Sequence, residues 1–229
     1  MNGLIVFAKK PLPGRVKTRL QPEITPEMSL EIYRSFVEDT LENISGFPET
    51  ETWLGCYPEA DDPWFRELSA RYTLRLFNQE GENLGVRMER AFRKLNDRSI
   101  QFKVIIGTDS PHLPAEYISE AFYYLKSYPV VIGPSRDGGY YLLGIAGNLP
   151  PIFDDIKWST NTVFTSTIRK LEEENIRYHL LPEGFDVDTF KDLLHLKSHL
   201  DDFKGSREGA LKRTRLVCDS IESPDRKKR

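Results

Sequence analysis

The sequence predicts an α/β fold: a mostly parallel sheet with helices on both sides. Three observations predict it. Short apolar runs without alternation, at Leu4–Ala8, Phe102–Thr108 and Val130–Pro134, suit strands buried on both faces. Between them lie segments whose apolar residues recur at helical spacing. Over the first third of the chain these alternate as strand, helix, strand, helix, strand, the order of a doubly wound sheet.

The bulk numbers limit what such a chain does. With 229 residues it is long enough for a full core. Its 32 basic and 35 acidic residues leave a net charge of −3, and so even a balance argues against non-specific nucleic-acid binding. Two cysteines, Cys56 and Cys218, cannot build a disulfide framework, and with four scattered histidines they make no zinc pattern. The apolar run at Leu4–Ala8 is too short for a signal peptide or a membrane span, and no longer one follows. The expectation is a cytoplasmic protein with neither a membrane nor a nucleic-acid partner.

In chain order, the first strand opens into Lys9-Lys10-Pro11-Leu12-Pro13-Gly14-Arg15-Val16-Lys17-Thr18-Arg19-Leu20. Five cations stand on a loop stiffened by two prolines, and Gly14 permits close backbone approach. Fixed positive charge at a strand end is what a polyphosphate needs; a solvated basic loop is the alternative. Neither a P-loop nor a dinucleotide glycine spacing is present. Thr25-Pro26-Glu27 starts a helix, with a cap, a proline and an acid at the positive dipole end. Its stripe of Ile32, Phe36, Val37, Leu41 and Ile44 is core. Strands are expected at Thr52–Tyr57 and Tyr72–Phe77, with a short helix at Pro63–Leu68 between them. The turn-rich Gln79–Gly85 precedes a helix carrying Met88, Ala91, Phe92 and Leu95; it is either a plain connector or a wall for a base or ribose.

The strand at Phe102–Thr108 runs into Asp109-Ser110-Pro111. Pro111 cannot join a ladder, so the strand stops there and Asp109 lies just past its carboxyl end. That edge is where open α/β sheets bind ligands, although an Asp in such a connection also serves merely to bond nearby amides. A helix through Ile118 to Leu125 and a strand at Val130–Pro134 follow. Asp137-Gly138-Gly139 before Tyr140-Tyr141-Leu142-Leu143 reads first as a hairpin turn, and second as a place where a substrate approaches backbone closely. Trp158-Ser159-Thr160 is expected to cap a helix carrying Val163 to Leu171, and Tyr178–Leu181 to form a strand. In Gly184-Phe185-Asp186-Val187-Asp188-Thr189, the two carboxylates share one face of an extended segment and repel unless a cation or solvent intervenes. Asp188 is a candidate cap for the helix Lys191–Leu200, the last one expected. Residues 1–203 would then form one domain, and 204–229 a charged tail.

Together the basic loop, Asn83-Leu84-Gly85-Val86-Arg87-Met88, Gly107-Thr108-Asp109-Ser110-Pro111, Asp137-Gly138-Gly139-Tyr140, Trp158-Ser159-Thr160 and Asp186-Val187-Asp188-Thr189 resemble the rSAM/selenodomain-associated transferases, often named glycosyltransferases. These belong to the nucleotide-diphospho-sugar transferase superfamily and are similar to molybdenum-cofactor and phospholactate guanylyltransferases. The match runs from Leu4 to Leu200. It implies a three-layer α/β/α, GT-A-like (Rossmann-like) fold. It implies a phosphate-binding role for the loop residues Lys9, Gly14, Arg15, Lys17 and Arg19, and a Mg²⁺ or Mn²⁺ site at Asp109 with Asp186 or Asp188. It also implies acceptor contacts at Asp137, Gly138, Gly139 and Tyr140. Glycosyltransferases of this fold usually carry Asp-x-Asp after the central strand; here Pro111 takes the second position.

The expected function is a metal-dependent transferase with a nucleoside triphosphate or sugar nucleotide as donor and a small molecule as acceptor. Asp109 and Lys17 would act at the reacting phosphates, with Asp137 a candidate general base. A nucleotide-binding module without turnover is the alternative.

Overall fold

A computed structural model describes residues 1–200 and 211–221. Seven strands form one sheet in the order β3-β2-β1-β4-β6-β5-β7. They are β1 (Asn2–Lys9), β2 (Thr50–Tyr57), β3 (Arg75–Asn78), β4 (Phe102–Ile106), β5 (Val130–Pro134), β6 (Tyr140–Ala146) and β7 (Tyr178–Leu180). All neighbouring pairs are parallel except those of β6, which runs antiparallel to both β4 and β5. The strands are buried on both faces, so successive side chains feed opposite layers. Leu4, Val6, Val104 and Ile106 pack under α1 (Pro26–Ile44), α2 (Pro63–Tyr72) and α4 (Ala115–Tyr124). Ile5, Ile105, Val130 and Ile132 pack under α3 (Leu84–Asn96) and α5 (Val163–Glu173). The three-layer α/β/α expectation is met.

Several boundaries differ from the sequence reading. α2 extends to Tyr72, and Thr73 ends it in the left-handed region at φ 54°, so β3 begins only at Arg75. Trp158-Ser159-Thr160 does not cap α5: the residue before that helix is Thr162, and its side chain makes no capping bond. Asp188 is not the cap of α6 (Phe190–His199). Thr189 is, in a reciprocal capping box with Asp192.

α6 is also not the last helix. α7 (Lys212–Ser220) lies in the stretch 204–229 read as a charged tail, of which residues 211–221 are described. Leu211, Cys218 and Ile221 bury against Ile32, Phe36 and Leu196. Asp39 on α1, 3 % exposed, accepts from the Thr214 amide at 2.7 Å and from the Arg213 guanidinium at 3.3 Å. A carboxylate at the first turn of α7 favours the positive end of the helix dipole.

Candidate functional site

The carboxyl ends of β1 and β4 lie side by side in parallel register, and the chain leaves both there. After β1, the loop alternates cations with uncharged residues: Arg15, Val16, Lys17, Thr18, Arg19, Leu20. Val16 and Leu20 are buried at 4 % and 0 %. Burying those two pins the strip and leaves Arg15 and Arg19 exposed at its rim. Gly14 takes φ +70° in the preceding turn, a conformation glycine adopts at no steric cost. At the head of the loop, Tyr33 of α1 accepts from the Lys9 amide at 2.5 Å and donates to the Lys9 carbonyl at 3.0 Å.

Lys17 is the odd member. It adopts the left-handed conformation, φ 46° and ψ 40°, rare for a side chain of its size, and it opens a short 3-10 turn at Thr18–Leu20. Its side chain is only 3 % exposed, lying 5.4 Å from the centroid of the Phe36 ring. Its Nζ stands 2.5 Å from Asp109 Oδ1, 3.3 Å from Asp188 Oδ1 and 2.7 Å from the Val187 carbonyl. Arg19 reaches the other oxygen of Asp188 at 3.4 Å. Burial pulls the Lys17 ammonium toward neutrality, but the charges of Asp109 and Asp188 outweigh it and hold its pKa above the ordinary lysine value.

The segment carrying Asp186 and Asp188 is stitched to β4's exit. The Val187 amide donates to the Asp109 carbonyl at 2.9 Å, and Ser110 Oγ donates to the Phe185 carbonyl at 2.9 Å and to Asp186 Oδ1. Thr189 takes the capping duty, so Asp188 is left to face Lys17. Asp186 points to a different partner, and its carboxyl is pushed up to about 7: burial contributes most, Ser110 opposes it, and the charges of Asp109, Asp137 and Asp188 add to it. Asp109 and Asp188 thus share the Lys17 ammonium, while Asp186 stands beside them with Ser110 as its partner. Hard oxygen donors of this kind suit Mg²⁺ or Mn²⁺, which bind through one or two carboxylates plus substrate phosphates. Among the described residues, no three carboxylate, imidazole or thiol groups stand together as a ready ligand set.

Lys9, Arg15, Lys17, Arg19, Asp109, Asp186, Asp188 and Tyr140 all line one cavity of about 620 Å³. That volume lies in the range of small-molecule sites. Gly14, Asp137, Gly138 and Gly139 are not on its wall. Asp137 closes an Asx turn onto the Gly139 amide at 2.9 Å, and bonds from Gly138 to Ser135 and from Ser135 to Gly139 make the segment a hairpin between β5 and β6. Gly138, at φ +88°, lies so close to the loop before α5 that an added Cβ would stand 2.0 Å from the Asn161 carbonyl oxygen. Its glycine is required by packing, whatever else the hairpin does.

The cavity also takes in the turn-rich segment and the start of α3, which the sequence offered as either a plain connector or a place for a base or ribose. Gln79 and Arg87 lie beyond β3's end, together with Glu82 and Asn83 of the turn-rich segment. Trp158 lies flat on the first turn of α3, where a Cβ on Gly85 would meet indole atoms at 2.0–2.4 Å. Asn83 both lines the cavity and caps α3, accepting from the Val86 amide at 3.0 Å. Topology points the same way as those motifs: β3 ends on the same sheet edge as β1.

Comparison with known proteins agrees with this architecture. A family described as "Uncharacterized protein conserved in bacteria (DUF2064)" matches residues 40–160. A solved structure from Desulfovibrio desulfuricans G20, provisionally named a nucleotide-diphospho-sugar transferase, is 30 % identical with a TM-score of 0.84; the match covers 96 % of this chain and 99 % of that one. The 4-diphosphocytidyl-2C-methyl-D-erythritol synthase of Anaerococcus prevotii DSM 20548 shares the fold at TM-score 0.60 and 12 % identity, over 87 % of this chain and 96 % of that one. Among curated proteins, the 2-phospho-L-lactate guanylyltransferase of Methanocaldococcus jannaschii is 25 % identical over 118 residues, half of each chain. This chain therefore spans about half the length of the curated relative it matches. No described helix is long and apolar enough to cross a membrane.

Proposed function

This chain belongs to the DUF2064 family, within the nucleotide-diphospho-sugar transferase superfamily, and we propose that it transfers a nucleotidyl group from a nucleoside triphosphate to a small acceptor. The observation that carries the proposal is the Lys17 ammonium held between Asp109 and Asp188 at the carboxyl edge of the sheet, in a cavity whose rim bears Lys9, Arg15 and Arg19. In such a transfer an acceptor oxygen attacks the α-phosphorus and pyrophosphate leaves, and charge grows on the leaving oxygens. Lys17 and the two arginines supply fixed positive charge to the phosphates, and positioning with electrostatics carries most of the rate in this chemistry. Asp109 and Asp188, with Asp186 behind them, would hold a Mg²⁺ or Mn²⁺ ion. When bound, the ion would neutralise phosphate charge. Tyr140 would stand on the acceptor side, with the Asp137–Gly139 hairpin shaping that wall. Asp137 as general base has less support, because its Oδ1 is engaged by the Gly139 amide.

Pro111 in place of a second carboxylate and the guanylyltransferase relative both favour nucleotidyl transfer. A second reading, glycosyl transfer from a sugar nucleotide with release of a nucleoside diphosphate, is favoured by the name of the Desulfovibrio neighbour. Calorimetric titration with each nucleoside triphosphate and each common sugar nucleotide, with Mg²⁺ or Mn²⁺, separates the two. We expect triphosphate binding that is metal-dependent and lost in Lys17→Met. Binding of sugar nucleotides alone removes the nucleotidyl reading, and binding of neither class removes both.

A further inference from the structure

We infer that Lys17 is a placeholder cation: its ammonium holds Asp109 and Asp188 until a divalent ion takes them, and only then becomes free to bond a donor's phosphates. The inference rests on the metal-dependent nucleotide reading above and adds an order of events to it. An ammonium has three hydrogens to give and accepts nothing. Three oxygens stand around Lys17 Nζ: Asp109 Oδ1 at 2.5 Å, the Val187 carbonyl at 2.7 Å and Asp188 Oδ1 at 3.3 Å. All three hydrogens are therefore spent inside the protein, and none is left for a phosphate. The Lys17 side chain is 3 % exposed, against 50 % for Asp109 and 35 % for Asp188. The carboxylates are thus open to an arriving ion, while the ammonium is not open to an arriving phosphate.

Charge counting says what must give way. Asp109 and Asp188 carry two negative charges and Lys17 one positive, so the trio is left with a single negative charge. Asp186, bonded to Ser110, stands outside it. A divalent ion added to the trio would turn it positive, in a cavity already lined by Lys9, Arg15 and Arg19. Like charges this close repel, most strongly where water is scarce. The lysine and the ion therefore compete for the same two carboxylates. A donor's phosphates bring both the negative charge and the acceptor oxygens that a released ammonium needs, so metal and donor each strengthen the other's binding. Arg19 is a different case: it reaches the second oxygen of Asp188 at 3.4 Å from a side chain that is 71 % exposed, where water screens it.

The experiment is Mn²⁺ titration of the full chain without nucleotide, read by the paramagnetic resonance of the free ion. A site that is open only while its own lysine is away binds with affinity reduced by that fraction. We expect Lys17→Met to bind Mn²⁺ at least about tenfold more tightly than the wild type, and the gain to vanish in Lys17→Met/Asp188→Asn. Arg19→Met, which removes a screened cation from the same carboxylate, should change the affinity about twofold or less. A lysine that only supported the structure would weaken metal binding when removed. Equal affinities in wild type and Lys17→Met, weaker binding in Lys17→Met, or equal gains in Lys17→Met and Arg19→Met overturn the inference. A second readout needs only folded wild type: with ¹⁵N-labelled lysine, the Lys17 ammonium signal, identified by its absence from Lys17→Arg, should change on saturation with Mg²⁺. A signal that Mg²⁺ leaves unchanged overturns the inference even where Lys17→Met does not fold. All of these outcomes leave the nucleotide-donor reading to its triphosphate titration. Mn²⁺ binding to none of the proteins overturns the inference and removes the carboxylates as metal ligands.

Discussion

Asp186 should make the protein less stable as pH rises from about 4 to 7, and Asp186→Asn should abolish that loss. The carboxyl is moved from its ordinary 3.8 to about 7, first by burial and then by the charges of Asp109, Asp137 and Asp188. At ~1.4 kcal/mol per pH unit, ionising it in the folded chain costs about 4 kcal/mol more than in the unfolded one. Partial contact with solvent reduces this, and we expect roughly 2–4 kcal/mol. The sign follows from proton counting. Between pH 3.8 and 7 the native chain keeps a proton that the unfolded chain has released, so stability falls through that window and the loss is complete above it. Asparagine keeps an oxygen that accepts from Ser110 and carries no charge. The variant should match the wild type near pH 4 and exceed it at pH 8 by roughly 5–15 °C in Tm for a chain of this size. Thermal melts of both proteins across pH 4–8, in chelator so that no divalent ion titrates alongside, give the difference directly, since every other carboxyl is common to both. A gap that does not change with pH, or a wild type more stable than the variant at pH 8, would refute the reasoning.

Other perturbations test separate pieces. Lys17→Met should lower transfer about 10²–10³-fold by removing charge from the leaving phosphates, as measured by pyrophosphate release; full activity would take Lys17 out of the reaction. Gly138→Ala adds a methyl 2.0 Å from the Asn161 carbonyl oxygen at a positive φ and should cost about 2 kcal/mol or more; a neutral effect in urea denaturation would show that the loop before α5 yields. Thr189→Ala removes the capping box of α6, costing about 1 kcal/mol in the same assay. Asp39→Asn removes the charge that holds Arg213 and the first turn of α7, and should speed amide exchange in α7 while leaving that of β1 and β4 unchanged.

What the sequence disclosed followed from which physical effects leave a local trace. Burial on both faces leaves unbroken apolar runs, so β1, β4 and β5 were legible. The direction of β6 is not written in its own residues, because Tyr140–Ala146 is as apolar as a parallel strand would be; it was legible through the Asp-Gly-Gly connection to β5, read as a hairpin turn, since a tight hairpin can join only antiparallel neighbours. α7 buries few apolar residues of its own and is docked by Arg213 onto Glu38 and Asp39, a long-range electrostatic contact that helical periodicity does not record. The cap of α6 was decidable: Asp188 and Thr189 compete, but only Thr189 has an acid, Asp192, three residues on to reciprocate.

The choice of Lys17 among five loop cations was beyond sequence reading, and its cause is geometric. Val16 and Leu20 must be buried, Leu20 against the cluster that α1, α6 and α7 share. A left-handed residue between them turns the chain so that its ammonium meets Asp109 and Asp188, themselves brought together by the bond from the Val187 amide to the Asp109 carbonyl. The aim of the most buried charge in the site is therefore fixed by how the loop's apolar residues pack, and Leu20→Ala should disturb phosphate binding although Leu20 is fully buried and absent from the cavity wall. A cavity-forming change of this size costs about 2–5 kcal/mol, so the comparison is made below the variant's melting temperature. Triphosphate affinity unchanged there would show that Lys17 is held by its carboxylates alone.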